Sequence, residues 1–210
     1  MRVNASLIPV VIVIVLLNLG AALRAGRAEL VWSYSDVFDQ AIPADAEATK
    51  GWMEDAVIEV PDHLIITDLD VSVSLTHTNV FDLRLIVTSP AGTSVVLNSY
   101  DPFTEYFSGA DYRQTVFDDE AEIAIADATP PFTGRFRVDA NEALAVFDGE
   151  DAFGAWRLQI YDAHYCDTGS LDAFGLTITT PEPATAALLL AGLGIVRCAR
   201  RRAWRAPRQA

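Results

Sequence analysis

The clearest alternation of hydrophobic and polar positions in the chain runs from Asp68 to Leu97. Apolar side chains occupy every second position at Leu69, Val71, Val73 and Leu75, and again at Leu83, Leu85 and Val87. A period of two places the apolar side chains of a strand on one face. Ser89 to Thr93 has turn composition, and a third short strand follows at Ser94 to Leu97. The stretch therefore predicts a β-meander with one buried and one solvated face.

The rest of the chain repeats this pattern in shorter pieces. Alternation predicts two further one-sided strands, Trp156–Tyr161 and Phe174–Thr179, with Trp156 and Phe174 in the core. Two short segments, Ala56–Val60 and Leu64–Ile66, bracket Pro61-Asp62. Residues 29–55 have no clean period and suggest an edge strand and a loop, while a short helical turn is expected within 140–147. Seven to nine short strands with Gly, Pro and Asp turns predict an all-β protein, an antiparallel β-sandwich of which the jelly roll is one form.

Nearly apolar segments lie toward both ends of the chain. Asn4 to Leu23 precedes Gly26 and Ala28, small residues of the kind that signal peptidase requires. We interpret residues 1–28 as a signal peptide with a helical apolar region. The alternative is an uncleaved membrane anchor, because the run approaches the roughly 20 residues that span a bilayer. Residues 29–180 are then the folded domain.

The second apolar run, Ala184 to Val196, is followed by arginines at positions 197 to 208. The positive-inside rule expects such a cluster at the cytoplasmic end of a membrane helix. With the preceding Pro181-Glu182-Pro183, residues 181–210 resemble the PEP-CTERM sorting signal of Gram-negative bacteria. The resemblance implies export, transient anchoring in the inner membrane through the C-terminal helix and recognition by an exosortase-type sorting enzyme. It also implies a final location in the cell envelope or outside the cell.

The predicted domain is strongly acidic. Between Glu29 and Thr180 there are 28 acidic and 6 basic residues, and 28 minus 6 gives a formal charge of −22, compared with −14 for the whole chain. This charge argues against nucleic acid or anionic lipid as a partner, since phosphate contacts need cations. Cys166 and Cys198 lie on opposite sides of the second apolar run, so they are not expected to pair and the core has to stabilise the fold.

A series of short motifs follows in order along residues 36–180. They are Ile42-Pro43, Thr76-His77-Thr78, Asp82-Leu83, Thr88 to Thr93, Phe117 to Ala121, Phe132-Thr133-Gly134, Phe147-Asp148-Gly149, Gly154-Ala155-Trp156 and Asp167 to Leu171. Their types and order resemble the P domain, also called P/Homo B, which follows the subtilisin-like catalytic domain of proprotein convertases and many bacterial proteases. The resemblance implies a jelly-roll, galactose-binding-like β-sandwich that stabilises or regulates a neighbouring serine endopeptidase.

Proteolysis by the chain itself would require a histidine within hydrogen-bond reach of a serine and oriented by an acid. The sequence has only His63, His77 and His164, and it leaves no room for a subtilisin-like catalytic domain. His77 ends an alternating strand on its apolar side, which indicates a hydrogen-bonded histidine at the edge of the core. His164 lies in a predicted loop and is expected to be solvated. We predict that the chain has no catalytic residues and is not an enzyme.

Carboxylates near predicted strand ends are the candidate metal ligands: Asp82, Asp118, Asp119, Glu120, Asp162 and Asp167. Ca²⁺ prefers about six to eight oxygen ligands, and several loops at one end of a sandwich could supply them. Without a cation, such carboxylates would repel one another. The alternative is that these residues form turns and cap strands on an acidic surface. A calcium site at these positions is therefore one hypothesis that the sequence supports.

The polar connection of residues 100–113 is predicted to be a surface loop. It contains an exposed aromatic set, namely Tyr100, Phe103, Tyr106, Phe107 and Tyr112. These rings either stack on a sugar or fold the loop onto the sheet.

Three functions remain open. The first is a non-catalytic exported module, structural or interacting, of the cell envelope or extracellular matrix. The second is an accessory module that stabilises a separate, secreted subtilisin-like serine endopeptidase. The third is a carbohydrate-binding module with an envelope polysaccharide as partner.

Overall fold

The computed structural model describes residues 29–44, 50–100, 109–139, 141–165 and 167–181 of the chain. The predicted signal peptide, the apolar and arginine-rich C-terminal segment, three of the loop aromatics (Phe103, Tyr106 and Phe107) and Cys166 lie outside these residues. In the part that is described, no helix is long and apolar enough to cross a membrane.

The described ranges contain ten strands, which form two sheets. The strands are β1 (Glu29–Ile42), β2 (Gly51–Trp52), β3 (Ala56–Val60), β4 (Asp68–His77), β5 (Leu83–Thr88), β6 (Ser94–Asn98), β7 (Tyr112–Phe117), β8 (Phe132–Phe136), β9 (Gly154–Asp162) and β10 (Gly169–Pro181). Sheet A has the order β1-β10-β4-β7-β8, and sheet B has the order β2-β9-β5-β6, with β3 also paired to β9. Short 3₁₀ turns lie at Val80–Asp82, Ile125–Asp127 and Leu144–Phe147.

The alternating apolar residues of the predicted strands form the core of the sandwich. Leu69, Val71, Val73 and Leu75 of β4 are all buried, and the apolar positions of β5 and β9 are buried opposite them in sheet B. Trp156 and Phe174 are core residues, as predicted. The Trp156 ring packs edge-on against Phe147 with 5.2 Å between ring centroids, and its Nε1–H donates to the carbonyl of Ala152 at 2.9 Å. The predicted all-β sandwich is confirmed.

The structure differs from the sequence prediction in the pairing of β7 with β8. These two strands run parallel, whereas the other strand pairs among the described residues are antiparallel. Residues 118–131 separate the two strands, and a connection of that length permits the crossover that parallel strands require. The predicted helical turn within 140–147 is the 3₁₀ turn Leu144–Phe147.

The prediction that Tyr112 belongs to an exposed aromatic set is wrong. Tyr112 begins β7 and is only 1% exposed, and its ring packs against Phe132 with 4.9 Å between centroids. Its hydroxyl accepts a hydrogen bond from the side-chain amide of Asn98 at 2.6 Å. The tyrosine is buried because β8 returns alongside β7 and covers it. Tyr100, at 39% exposure, is the one aromatic of this set that the described residues place at the surface.

Candidate functional site

The predicted metal ligands are divided between the two ends of β4. Asp82, Asp162 and Asp167 belong to the end at which His77 lies, because Asp162 contacts His77 and acts electrostatically on Asp82 together with Asp167. Asp118 belongs to the end that contains Asp70, because both bind Arg135, and Glu120 joins this end through Asp118. Asp70 and His77 are seven positions apart in β4, which corresponds to roughly 23 Å at about 3.3 Å per residue. The six carboxylates therefore do not form one site.

We call the first group the His77 cluster and define it as His77, Asn79, Asp82, Asp162 and Asp167. It assembles where β4 and β9 end and where β5 and β10 begin. The side chains of His77 and Asp162 are fully buried, with 3.4 Å between Nε2 and Oδ2. The second ring nitrogen of His77 lies 2.8 Å from the carbonyl oxygen of Asn79. The burial predicted for His77 is confirmed.

The remaining contacts of the His77 cluster organise its carboxylates. Asn79 Nδ2–H donates to Asp82 Oδ2 at 2.9 Å, and the hydroxyl of Thr78 donates to Asp167 Oδ1 at 2.6 Å. Burial raises the pKa of Asp82; His164 opposes this effect, and the charges of Asp167 and Asp162 add to it. Asn79 Oδ1 is buried and has no hydrogen-bond partner within the described ranges. The cluster thus has an excess of oxygen acceptors.

The second group is the Arg135 cluster, defined as Asp70, Asp118, Glu120 and Arg135. Arg135 projects from β8 and binds two carboxylates: its Nε–H donates to Asp118 Oδ2 at 2.5 Å and its Nη2 group donates to Asp70 Oδ2 at 2.7 Å. The other oxygen of Asp118 accepts the backbone N–H of Glu120 at 2.8 Å. One cation therefore joins β4, β8 and the segment after β7.

The carboxylates of the Arg135 cluster differ in their electrostatics. Burial acts to raise the pKa of Asp118, but hydrogen bonds from Arg135 and Glu120 outweigh it and hold that pKa below its ordinary value. The pKa of Glu120 is raised, first by its hydrogen bond to Asp118 and then by burial. Burial also raises the pKa of Asp70 despite its contact with Arg135. Arg135 therefore compensates the buried charge of Asp118 but compensates that of Asp70 only in part.

Asp119 lies next to this cluster but has a structural role. Its two carboxylate oxygens accept the backbone N–H groups of Leu144 and Ala145, at 3.1 and 2.8 Å, and so cap the 3₁₀ turn Leu144–Phe147. Among the described residues, no three His, Cys, Asp or Glu side chains are arranged so that they could hold a metal ion. Calcium binding stays a prediction, and the six candidates are divided: Asp82, Asp162 and Asp167 lie at one end of the sandwich, and Asp118, Asp119 and Glu120 lie at the other.

The other two histidines lie outside the core. His63 is exposed, with its Nδ1 2.7 Å from Asp151 Oδ2 and its ring stacked on Phe153 at 4.2 Å. His164 is partly buried, and its backbone N–H donates to Asp162 at 3.0 Å. The His63–Asp151 pair is not predicted by the sequence, because 88 positions separate its members. Only their common position beside Ile65, which bridges to Asp151, brings them together.

The fold and these clusters define a β-sandwich module stabilised by its core and by interstrand charge clusters. Residues 66–178 match the family model of the proprotein convertase P-domain, which is more than half of the 210 residues, and the chain belongs to this family. P-domains are modules associated with serine proteases. Residues 179–202 match the PEP-CTERM protein-sorting motif. That motif indicates export and sorting through the Gram-negative cell envelope and implies recognition by an exosortase-type enzyme.

Solved structures provide a second comparison. The chain is similar to the serine protease of Aeromonas sobria in complex with the chaperone ORF2, with 17% identity and a TM-score of 0.45 over 74% of this chain and 28% of that one. The structure of that protease alone matches with 18% identity and a TM-score of 0.44, over 73% of this chain and 27% of that one. The chain thus spans less than a third of the length of these structures. No curated protein matches it.

Proposed function

We propose that the chain is a non-catalytic, exported P-domain module that acts as a structural or interaction protein of the cell envelope or extracellular matrix. The environments of its histidines carry this proposal. The ring nitrogens of His77 contact Asn79 and Asp162 inside the core, where no substrate has access. His63 is exposed but contacts a carboxylate and an aromatic ring. Within the described ranges, no histidine is hydrogen-bonded to a Ser, Thr or Cys side chain, which a nucleophilic triad would require.

The test is a cleavage assay with the purified full chain. Casein and a mixed library of quenched fluorescent peptides are incubated with the protein over a range of pH. We expect no cleavage above that of a control sample without the protein. Cleavage that persists through purification and disappears in His63→Ala or His77→Ala would overturn the proposal. Circular dichroism of each variant would show that the loss does not result from unfolding.

A second candidate function is stabilisation of a separately encoded serine protease, and the family assignment favours it. The experiment is isolation of the chain from its native secreted and envelope fractions, followed by mass spectrometry. A subtilisin-like protease recovered in a fixed ratio, whose thermal inactivation is slower with the chain than without it, would establish this function in place of the first. Recovery of the chain with other envelope components alone would support the first.

We also propose that calcium stabilises the domain at the His77 cluster. Asp82, Asp167 and the unpaired Oδ1 of Asn79 would hold the ion, which would neutralise the repulsion among these oxygens. At a calcium concentration of about a hundred times Kd, the melting temperature should rise by about 5–10 °C after chelation. Asp82→Asn should abolish this shift, whereas the exposed control Asp172→Asn should keep it. A melting temperature that calcium does not move would refute the proposal.

A further inference from the structure

An aromatic pair, exposed Trp52 and half-buried Tyr161, lies on the outer face of sheet B, where β2 joins β9. Trp52 is directly opposite Tyr161 in the sheet register, and their ring centroids are 5.0 Å apart at an interplanar angle of 50°. Leu158, Ile160 and Asp162 of β9 point into the sandwich, so Tyr161 points outward. The Trp52 side chain is 49% exposed, and Tyr165, just after β9, is 56% exposed. Three aromatic residues thus meet solvent on one side of the domain.

Two cations flank this pair. The ammonium group of Lys50 lies 4.7 Å from the ring centroid of Tyr165. On the other side, Arg84 of β5 is the register partner of Tyr161 and is exposed. We call Lys50, Trp52, Arg84, Tyr161 and Tyr165 the Trp52 platform. Neighbouring strands are about 4.8 Å apart, so the row from Trp52 across Tyr161 to Arg84 spans roughly 10 Å.

These two cations differ from the other four basic residues between Glu29 and Thr180. Arg113, Arg135 and Arg157 lie within 4.0 Å of carboxylates, and Arg137 donates to the carbonyls of Ala121 and Glu122. In the part of the chain that the structure describes, neither Lys50 nor Arg84 has a carboxylate partner.

The absence of such a partner is informative in a domain with 28 acidic residues. A cation on so acidic a surface is expected to meet a carboxylate, yet among the described residues no carboxylate lies within 4.0 Å of Arg84 or of Lys50, which contacts the Tyr165 ring instead. Asp55, a carboxylate on the same side of sheet B, accepts a hydrogen bond from Gln159 at 3.0 Å and faces Arg157. The platform is therefore complementary to an incoming carboxylate.

We infer that the Trp52 platform binds an acidic saccharide, that is, a sugar chain with carboxylate groups. Pyranose rings present flat C–H faces that stack on exposed Trp and Tyr, and carboxylates form charge-assisted hydrogen bonds with Arg and Lys. An extended acidic peptide would instead be expected to add to a sheet edge or to occupy side-chain pockets. The platform side chains project from the outer face of sheet B, from its edge strand β2 across β9 to β5.

The overall charge of the domain narrows the ligand further. At a formal charge of −22, the domain repels a densely charged polyanion over the Debye length of about 8 Å at physiological salt. The platform cations can hold one or two carboxylates but cannot compensate a sulfate on every sugar. The preferred ligand is a short sugar chain with no more than one carboxylate per sugar and no sulfate. This inference does not depend on the proposed non-catalytic role, because binding here would occur with or without a protease partner.

The test is isothermal titration calorimetry of the full chain in a polyoxyethylene detergent, which has no sugar head group. The probes are tri-galacturonic acid, its methyl ester and a hexaglutamate peptide. We expect saturable binding of tri-galacturonic acid and at least tenfold weaker binding of its ester, because one charge-assisted hydrogen bond contributes about 1.5 kcal/mol or more. Trp52→Ala and Arg84→Gln should each weaken binding at least tenfold.

Matched control variants come from elsewhere on the surface. Phe153→Ala removes an aromatic ring of similar exposure, 48%, and Arg113→Gln removes an exposed arginine that belongs to another site. Both should leave the affinity unchanged within a factor of about two, a difference well below 1.4 kcal/mol. No binding of tri-galacturonic acid, or equal loss in controls and platform variants, would overturn the inference. Tighter binding of hexaglutamate would also overturn it and would identify an acidic protein segment as the ligand class.

Discussion

Replacement of Arg135 by glutamine tests whether the Arg135 cluster stabilises the sandwich through charge. The substitution removes the hydrogen bonds to Asp118 and Asp70 and leaves two carboxylates facing each other without a cation. Each charge-assisted bond contributes about 1.5–3 kcal/mol. Since the Arg135 side chain is 52% exposed, solvent screening reduces this contribution by about half. We expect Arg135→Gln to lower the free energy of unfolding by about 1.5–3 kcal/mol at pH 7.

The pH dependence distinguishes a charge effect from a packing effect. In the native chain the pKa of Asp118 lies below its ordinary value, so its stabilising contribution is present above the unfolded pKa of about 4 and is lost as the pH falls through the folded pKa. Without Arg135 the two carboxylates should gain protons more readily, which relieves their repulsion. The stability difference between the native chain and Arg135→Gln should therefore shrink to about 1 kcal/mol near pH 4.

The assay is equilibrium urea unfolding at pH 7 and pH 4, followed by tryptophan fluorescence, for which buried Trp156 is a suitable reporter. Arg113→Gln is the control, because Arg113 is 63% exposed and pairs with Asp111. This control should change the free energy of unfolding by less than about 1 kcal/mol. The same stability difference at both pH values, or a difference below about 0.5 kcal/mol at pH 7, would refute the charge mechanism.

Three further substitutions probe the cluster and the core. Asp70→Asn should stabilise the domain by about 0.5–1 kcal/mol at pH 7. Burial raises the pKa of Asp70 in the folded chain. The destabilisation by its charged form should therefore appear as the pH rises through that pKa, and it should be absent below the pKa of the unfolded chain. A lower stability of Asp70→Asn than of the native chain in urea at pH 7 would contradict this prediction. Trp156→Ala should cost about 3–5 kcal/mol, because the ring is fully buried; a melting temperature within two degrees of the native value, roughly 0.5 kcal/mol, would disprove it. Gly169→Ala would place a Cβ in steric overlap with the carbonyl oxygen of Thr76 and should cost more than about 2 kcal/mol, measured by urea unfolding. Unchanged stability would show that β10 can move away from β4.

Much of the sandwich was predictable because strand patterning is local. The alternation at Leu69 to Leu75 identified both the existence of β4 and its buried face, and Trp156 and Phe174 were assigned to the core in the same way. Tyr112 was placed wrongly because its burial depends on β8, a strand that pairs with it in parallel after the intervening residues 118–131. No periodicity within residues 100–113 contains that information.

The candidate metal ligands show the same limit. Their residue types and their positions near strand ends were read from the sequence, but the sequence alone does not indicate which ends meet. Asp118 shares Arg135 with Asp70, and Glu120 joins them through Asp118, whereas Asp82 lies with His77 and Asp162. The sequence does not predict the role of Arg135, because a single arginine in a short strand is not part of any pattern. Its role depends on β8 lying beside β7 in a sheet that also contains β4.

The Trp52 platform depends on tertiary structure for the same reason. Lys50, Arg84 and Tyr161 are far apart in the chain and become neighbours only because β2 and β5 pair with β9. The sequence alone determined the class of fold and the two faces of most strands, because strand geometry repeats every two residues. It also determined the acidic charge, which depends on composition, and the sorting motif, which is a contiguous segment of the chain. Which charges are paired, which are left free and which rings are covered was decided by the order of strands in the sheets.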